Sequence, residues 1–406
     1  MVRGAEEKGI FAPMMTRETF EWLRSPEGGR TVEEQLGRDP VQIALDSRVP
    51  HAAAVATQVK YLRRAAAKLP AWHAARCLLP PRAFEQASSE ACAAHKRIGG
   101  DTALDLTCGL GVDAAALARR FRRVVALERD PVLAAVAQEN LRRMGIGNVE
   151  VLCTSAEEYL ASASGRFDWV YADPDRRSAE GRKLVRLADC SPDVAALGPL
   201  LRRLSGRLCV KNSPLFDVDE AFASFGDCEV EVVSLGGECK EVVVYADGRP
   251  PRLTATALGL GSFTVLRGEA DNTPCGGPFE PERWRWLVVP DVALRKARLA
   301  CMALRGKACM WSNEGYAFAA EEPRGAIGRV LAVDRIEPYD PKALRRELKG
   351  RGAELLKHDF PFTTAQIAAR TGIREGGALR LAFTKIGSEF WTIRLKPLPL
   401  QQPTAS

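Results

Sequence analysis

The stretch Ala103-Leu104-Asp105-Leu106-Thr107-Cys108-Gly109-Leu110-Gly111 constrains this chain more than any other feature. An apolar run ends in an acid, bends through two glycines and enters a helix-compatible segment at residues 114–120. Residues without Cβ let the backbone approach a ligand closely, and the first turn of the following helix offers unpaired N–H groups. Beyond this turn, short apolar runs at 102–106, 124–127, 149–153, 169–172 and 208–211 alternate with amphipathic stretches, the pattern of βαβ winding. The expected fold class is therefore α/β, built on a doubly wound, Rossmann-like parallel sheet. With 46% hydrophobic and 27% charged residues, a packed core is affordable, which excludes a disordered or fibrous chain.

The 406-residue chain predicts two to three domains. Residues 1–97 read as a helical N-terminal region, with Thr16 as a cap and an Ala-rich run at 51–69. The sheet domain is placed at 98–250; runs at 229–235 and 241–246, joined by Gly236-Gly237, read as an antiparallel pair at a sheet edge. Order weakens after Arg249-Pro250-Pro251. Residues 251–335 are assigned to a small α/β region, for which a ferredoxin-like arrangement is one option, and 336–396 to a further α/β domain. In the latter, Asp340 caps a helix begun by Pro341, and Thr363 with Gln366 forms a capping box. A disordered tail is expected at 397–406. Eleven cysteines without a C-x-x-C pair predict free thiols in a reducing cytoplasm, and four histidines without ligand spacing predict no metal site. No run is long and apolar enough for a membrane span. The net charge of +7 permits a polyanionic partner without requiring one.

The glycine spacing suits either a nicotinamide dinucleotide or S-adenosylmethionine. Asp105 favours the second, because a carboxylate there attracts the ammonium of a methionine moiety and repels a pyrophosphate. Seventeen residues after Gly111, Glu128 is placed to accept both hydroxyls of a ribose. Thr107, Cys108, Gly109 and Gly111 with Arg129, Ser155 and Ala156 complete the expected cofactor set. After the third strand, Ser155 or Glu157 stands where an acid for the adenine amino group is expected. The fourth strand stops at Asp173-Pro174-Asp175-Arg176-Arg177. Asp173, with Pro174 and Asp175, is the expected catalytic segment, aimed at the carboxyl edge of the sheet. Arg176 and Arg177 either pair with Asp189 and Asp193 or clamp a substrate phosphate. Lys211 either faces the substrate or simply leaves its strand into solvent.

These residues resemble the class I S-adenosylmethionine-dependent methyltransferases. Asp105, Gly109 and Gly111 match their first motif, Glu128 their ribose acid, and Asp173-Pro174 half of the D/N-P-P-Y/F motif used on exocyclic amines. Asp175 and Arg176 depart from its second half. More closely, the chain is similar to a bacterial group of methyltransferases with a THUMP-like C-terminal domain. The likeness is carried by Ser88-Ser89-Glu90, Asp105-Leu106-Thr107, Asp173-Pro174-Asp175-Arg176-Arg177, Ala188-Asp189-Cys190, Gly237-Glu238-Cys239-Lys240-Glu241 and His358-Asp359-Phe360-Pro361. It implies S-adenosyl-L-methionine as cofactor and, through the THUMP association with RNA, structured RNA such as tRNA or rRNA as partner. Six basic side chains against three acids at 340–358 fit a phosphate backbone or a solvated helix face. Two rival readings are a non-catalytic RNA-binding or assembly factor on a degenerate methyltransferase scaffold, and a nicotinamide oxidoreductase. Oligomeric state is left open.

Overall fold

The structure, a computed structural model, describes residues 15–176 and 190–397 and divides the chain into two compact units. The first takes in the chain through Cys228 together with Val243–Arg249; the second takes in Glu229–Val242 and everything from Pro250.

The first unit opens with seven helices, α1 (Arg17–Arg24), α2 (Pro26–Gln35), α3 (Pro40–Leu45), α4 (Ala52–Lys68), α5 (Pro70–Ala74), α6 (Pro81–Gln86) and α7 (Glu90–His95). Thr16, Ser25, Asp39 and Ser89 cap four of them through side-chain oxygens, satisfying N–H groups that a helix start leaves open. Phe20, Val59, Leu62, Trp72 and Phe84 bury one core with Leu110, Val112 and Val136, so the helical region and the sheet's own helices share a single hydrophobic cluster.

The sheet follows in alternation: β1 (Gly100–Asp105), α8 (Val112–Leu117), β2 (Phe121–Glu128), α9 (Pro131–Arg143), β3 (Val149–Cys153), α10 (Ala156–Ser162), β4 (Trp169–Ala172), then the short β5 (Asp175–Arg176) and β6 (Cys190–Ser191), α11 (Gly198–Leu204), β7 (Leu208–Asn212) and α12 (Val218–Phe225). The strand order β7-β4-β1-β2-β3 is wholly parallel, reversing direction of growth at β1 and β4. That reversal opens a crevice outside the carboxyl ends of β1 and β4, where the loops after β1, β2 and β4 converge. β5 and β6 pair with each other as a separate antiparallel ribbon.

In the second unit, β8 (Glu229–Leu235) leads through a glycine turn into β9 (Glu238–Ala246), whose residues from Val243 belong to the first unit, and β10 (Arg252–Leu258) and β11 (Gly261–Leu266) follow. β8 pairs in parallel with β10, and β10 pairs antiparallel with β11. The expected sheet edge at 229–235 is therefore corrected: β8 is flanked, and β11 is the edge. The run 252–266 forms a hairpin that turns at Gly259 and Gly261, both at positive φ, while Thr254 and Thr256 of β10 donate to the buried carboxylates of Glu229 and Glu231 on β8, both at 2.6 Å, so these polar residues are accommodated in a sheet interior.

β12 (Trp286–Pro290), α13 (Val292–Lys296), α14 (Ala300–Leu304), β13 (Cys309–Met310), β14 (Ala317–Ala319), β15 (Gly328–Pro338), α15 (Pro341–Leu348), β16 (Gly352–Lys357), α16 (Thr364–Thr371), β17 (Arg374–Glu375), β18 (Leu379–Ile386) and β19 (Glu389–Leu395) complete the unit. One eight-stranded sheet has the order β13-β14-β12-β15-β19-β18-β16-β17. β15 runs through positions 335 and 336 without interruption, so the two C-terminal regions expected from sequence share this sheet. Asp340 caps α15, and the Thr363–Gln366 capping box forms at α16 with Gly372 ending it in the left-handed region. Residues 398–406, most of the expected tail, lie outside the described residues. No helix of the described residues is long and apolar enough to cross a membrane, and none of their His, Cys, Asp and Glu side chains cluster as a metal site.

Candidate active site

A cavity of about 320 Å³ lies over the carboxyl ends of β1, β2 and β3, within the range of small-molecule sites. Its floor is the turn from Leu106 to Leu110 with Val112 and Asp113, and one side is formed by Glu128, Arg129 and Asp130 after β2. Thr154 to Glu157 after β3 and Asp173 after β4 add further walls, and Met15 with the α6 segment from Pro80 to Ala87 closes it from the helical region.

The turn keeps its shape through its own polar groups. Gly109 and Gly111 take φ of +54° and +92°, which L side chains avoid. A Cβ on Gly109 would meet nothing nearer than the Thr107 carbonyl at 3.9 Å, so the space above it is open. The Cys108 N–H donates to the Leu127 carbonyl at 2.8 Å and the Gly109 N–H to Glu128 Oε2 at 2.9 Å. Glu128 Oε1 accepts from the Asp130 N–H at 2.9 Å. Burial raises the Glu128 carboxyl above its ordinary value. Each of its oxygens keeps a lone pair for hydroxyl donors.

Asp105 is fully buried at the end of β1 and does not line the cavity. Its Oδ1 accepts from the Thr107 N–H at 2.9 Å, while Oδ2 is buried without a hydrogen-bond partner. Burial pushes this carboxyl up to about 8. Asp105 thus sits at the end of β1, followed by Leu106 and Thr107, which line the cavity. Cys108 is likewise a buried thiol, raised well above its ordinary value by burial.

Asp173 lies on the cavity wall, where its N–H donates to Thr107 Oγ1 at 2.7 Å. Lys211, leaving β7, forms an ion pair with Asp173 Oδ2, and its side chain is only 12% exposed. Lys211 thus faces the site rather than solvent. Burial pushes the Asp173 carboxyl up, against the pull of the Lys211 ammonium. Pro174 follows Asp173, as the sequence requires. Asp175 and Arg176 have described backbones in β5 only; their side chains, and Arg177 and Asp189 entirely, lie outside the described residues.

A second acid went unnoticed in sequence. Asp113, at the start of α8, lines the cavity; its Oδ2 accepts from Ser88 Oγ at 2.8 Å, and Lys96 Nζ stands 3.5 Å from Oδ1. Burial would raise Asp113, yet Lys96, Lys211, Ser88 and Tyr171 together hold it below its ordinary value. The segment Ser88-Ser89-Glu90 carried a signal for this contact, but the partner is 25 residues away. Ser155 is spent as the N-cap of α10 in a capping box with Glu158, whereas Glu157 beside it is an exposed carboxylate on the cavity wall. Arg129 also lines the wall and donates to Ser191 Oγ at 3.4 Å.

A reversal point in a parallel sheet, a glycine turn under open space and a ribose-type acid after β2 define a nucleoside-binding α/β enzyme site. Comparisons with known proteins specify it. A methyltransferase domain profile matches residues 103–179, and a THUMP domain-like profile matches 328–397. The chain is 29% identical over 339 residues to an uncharacterized S-adenosylmethionine-dependent methyltransferase of Mycobacterium tuberculosis, covering 80% of this chain and 90% of that one. Over 105 residues it is 41% identical to a 23S rRNA (uracil-C5)-methyltransferase of Edwardsiella ictaluri, covering 23% of this chain and 24% of the relative. A crystal structure of a methyltransferase candidate from Porphyromonas gingivalis superposes with a TM-score of 0.79 at 22% identity, covering 95% of this chain and all of that one; it shows the shared fold. The chain is an S-adenosylmethionine-dependent methyltransferase with a Rossmann-like sheet and a THUMP-like C-terminal region. The donor set of the cavity fits that cofactor: open space over Gly109, the Glu128 carboxylate and the carboxylates of Asp113 and Asp173 near one end.

Proposed function

We propose that this enzyme methylates structured RNA, tRNA or rRNA, in the cytoplasm, with the C-terminal unit selecting the nucleotide that reaches the cavity. The observation that carries the reading is the THUMP domain-like match at 328–397 in the same chain as the methyltransferase domain. The Edwardsiella relative, whose name specifies 23S rRNA, supports it over a quarter of its own length. On α15, Lys342, Arg345 and Arg346 are exposed, as is Lys349 just after it, a spacing suited to phosphates.

In this reading the cofactor lies over Gly109, its ribose hydroxyls on Glu128 and its adenine beside Arg129, Ala156 and Glu157. When bound, S-adenosylmethionine supplies a methyl group on a positively charged sulfur. Asp173 would accept a hydrogen bond from the acceptor group and take its proton as the acceptor's lone pair bonds the methyl carbon, the methyl–sulfur bond breaking with its electron pair left on the sulfur. The Lys211 ammonium favours the anionic form of Asp173, against the burial that pushes its carboxyl up. Pro174 follows Asp173 and completes with it the proposed catalytic segment.

The test is incubation of the protein with methyl-labelled cofactor and RNA from a strain that lacks it. Label in wild-type reactions, lost with Asp173→Ala, supports the proposal; label only in protein removes RNA as the substrate.

A further inference from the structure

We propose that Thr107 is a positioning residue for methyl transfer: its hydroxyl oxygen, by holding the Asp173 N–H, sets where Asp173 meets the methyl acceptor. The inference rests on the reading of Asp173 as the group that takes the acceptor's proton, and deepens it.

β1 and β4 run side by side with Asp105 opposite Tyr171, and the Leu106 N–H still donates to the Tyr171 carbonyl at 2.9 Å. Beyond that bond the crevice opens. There the Asp173 N–H donates to a side chain, Thr107 Oγ1, at 2.7 Å. The next residue, Pro174, has no N–H to offer, so this bond is the last such anchor before the chain leaves the sheet edge. Pro174 also confines Asp173 to extended backbone.

Thr107 is itself held. Its N–H donates to Asp105 Oδ1 at 2.9 Å, and its hydroxyl donates to the same oxygen at 3.4 Å. Asp105 is completely buried, which makes it a firm anchor. Branching at Cβ limits the rotamers of Thr107 and aims the hydroxyl. With its hydrogen and one lone pair committed to the protein, that hydroxyl links two acids rather than binding the cofactor. Lys211 fixes the Asp173 side chain through Oδ2. Backbone held by Thr107 and carboxylate held by Lys211 leave Asp173 little room to drift, and a displacement of about 1 Å costs on the order of a hundredfold in rate where attack must be in line.

Two measurements on the full chain test the assignment. In the first, amide exchange is followed by mass spectrometry with fragmentation that resolves position 173. Thr107→Val keeps the shape and loses the acceptor, so exchange of the Asp173 N–H should speed up roughly tenfold, while Thr107→Ser should stay within about threefold of wild type. In the second, transfer from saturating methyl-labelled cofactor to RNA from a strain that lacks the protein is timed beside calorimetric binding of S-adenosylhomocysteine. Thr107→Val should slow transfer roughly ten- to hundredfold while S-adenosylhomocysteine stays within about twofold, and Thr107→Ser should recover most of the rate. An unchanged melting temperature shows that a variant is folded, and Thr107→Ala serves if Thr107→Val is not. Wild-type exchange at position 173 in Thr107→Val would overturn the contact, and wild-type transfer would overturn its role. Parallel loss of transfer and of S-adenosylhomocysteine would assign Thr107 to the cofactor and overturn the proposal, as would Thr107→Ser as slow as Thr107→Val. Full transfer by Asp173→Ala, or no label in RNA with wild type, would instead overturn the reading on which the proposal rests.

Discussion

Replacing Asp105 by Asn should stabilise the ligand-free protein, and by an amount that depends on pH. The carboxyl is completely buried, Oδ2 has no hydrogen-bond partner, and burial moves it from an ordinary 3.8 to about 8. The folded state therefore holds a proton that the unfolded chain releases across that window. Because the native state binds more protons there, wild-type stability falls as pH rises from about 4 to about 8. At 1.36 kcal/mol per unit, the cost of the buried group is about 1.7 kcal/mol at pH 5 and about 5 kcal/mol at pH 8. Asn carries no such cost, and its Oδ1 can still accept the Thr107 N–H that Asp105 accepts at 2.9 Å. The stability gap between Asp105→Asn and wild type should thus widen by roughly 3 to 4 kcal/mol from pH 5 to pH 8. Denaturant unfolding of both proteins at the two pH values measures it, since ionisations elsewhere cancel in the difference. A gap that is the same at both pH values, or that narrows as pH rises, would refute the reasoning.

Gly109→Ala should cost about 1–2 kcal/mol for a side chain at φ +54° without a clash, yet weaken S-adenosylhomocysteine far more than the stability change explains; calorimetry showing wild-type affinity would detach the turn from the cofactor. Lys211→Met should destabilise by about 1–3 kcal/mol by leaving the Asp173 carboxylate without its ammonium, and Asp173→Asn in the same chain should recover most of that. A double-mutant cycle with coupling below about 0.5 kcal/mol would contradict the ion pair. Reversing Lys342, Arg345 and Arg346 to Glu together should lower RNA affinity and flatten its dependence on log salt by about 2 to 3; filter binding across a salt series reads the slope, and an unchanged slope would place RNA on another surface.

What sequence reasoning reached, and what it did not, follows the range of the interactions. The strands at 149–153 and 169–172, the caps Asp340 and Thr363, and the turn glycines depend on residues within a few positions of each other, and each appears in the structure where the pattern put it. The hairpin at 252–266 was missed because its threonines look polar until Glu229 and Glu231 are laid beside them, 25 residues away. Ser155 lines the cavity and also caps α10, a second role that only the Glu158 contact reveals.

The charged floor of the cavity shows the same limit more sharply, and it links the predictions. Asp105, Asp113 and Asp173 come from three separate places in the sequence; besides burial, Asp113 and Asp173 push the Asp105 carboxyl up and Asp113 pushes that of Asp173 up. Two lysines answer them: Lys96 after α7, almost fully buried beside Asp113, and Lys211 from β7, paired with Asp173. Three acids against two ammonium groups leave one negative charge too many when nothing is bound. Asp105, with an oxygen that bonds to nothing, is the acid that takes up a proton to remove it. S-Adenosylmethionine brings a sulfonium, an ammonium and a carboxylate, a net charge of one positive, so its binding should favour release of the Asp105 proton. The turn between them is held by Thr107, whose N–H and hydroxyl oxygen touch Asp105 and Asp173 respectively. Through that one residue the buried acid at the end of β1 and the backbone N–H of the acid proposed to meet the methyl acceptor are tied to the same peptide, and the Asp173 charge pushes the Asp105 carboxyl up.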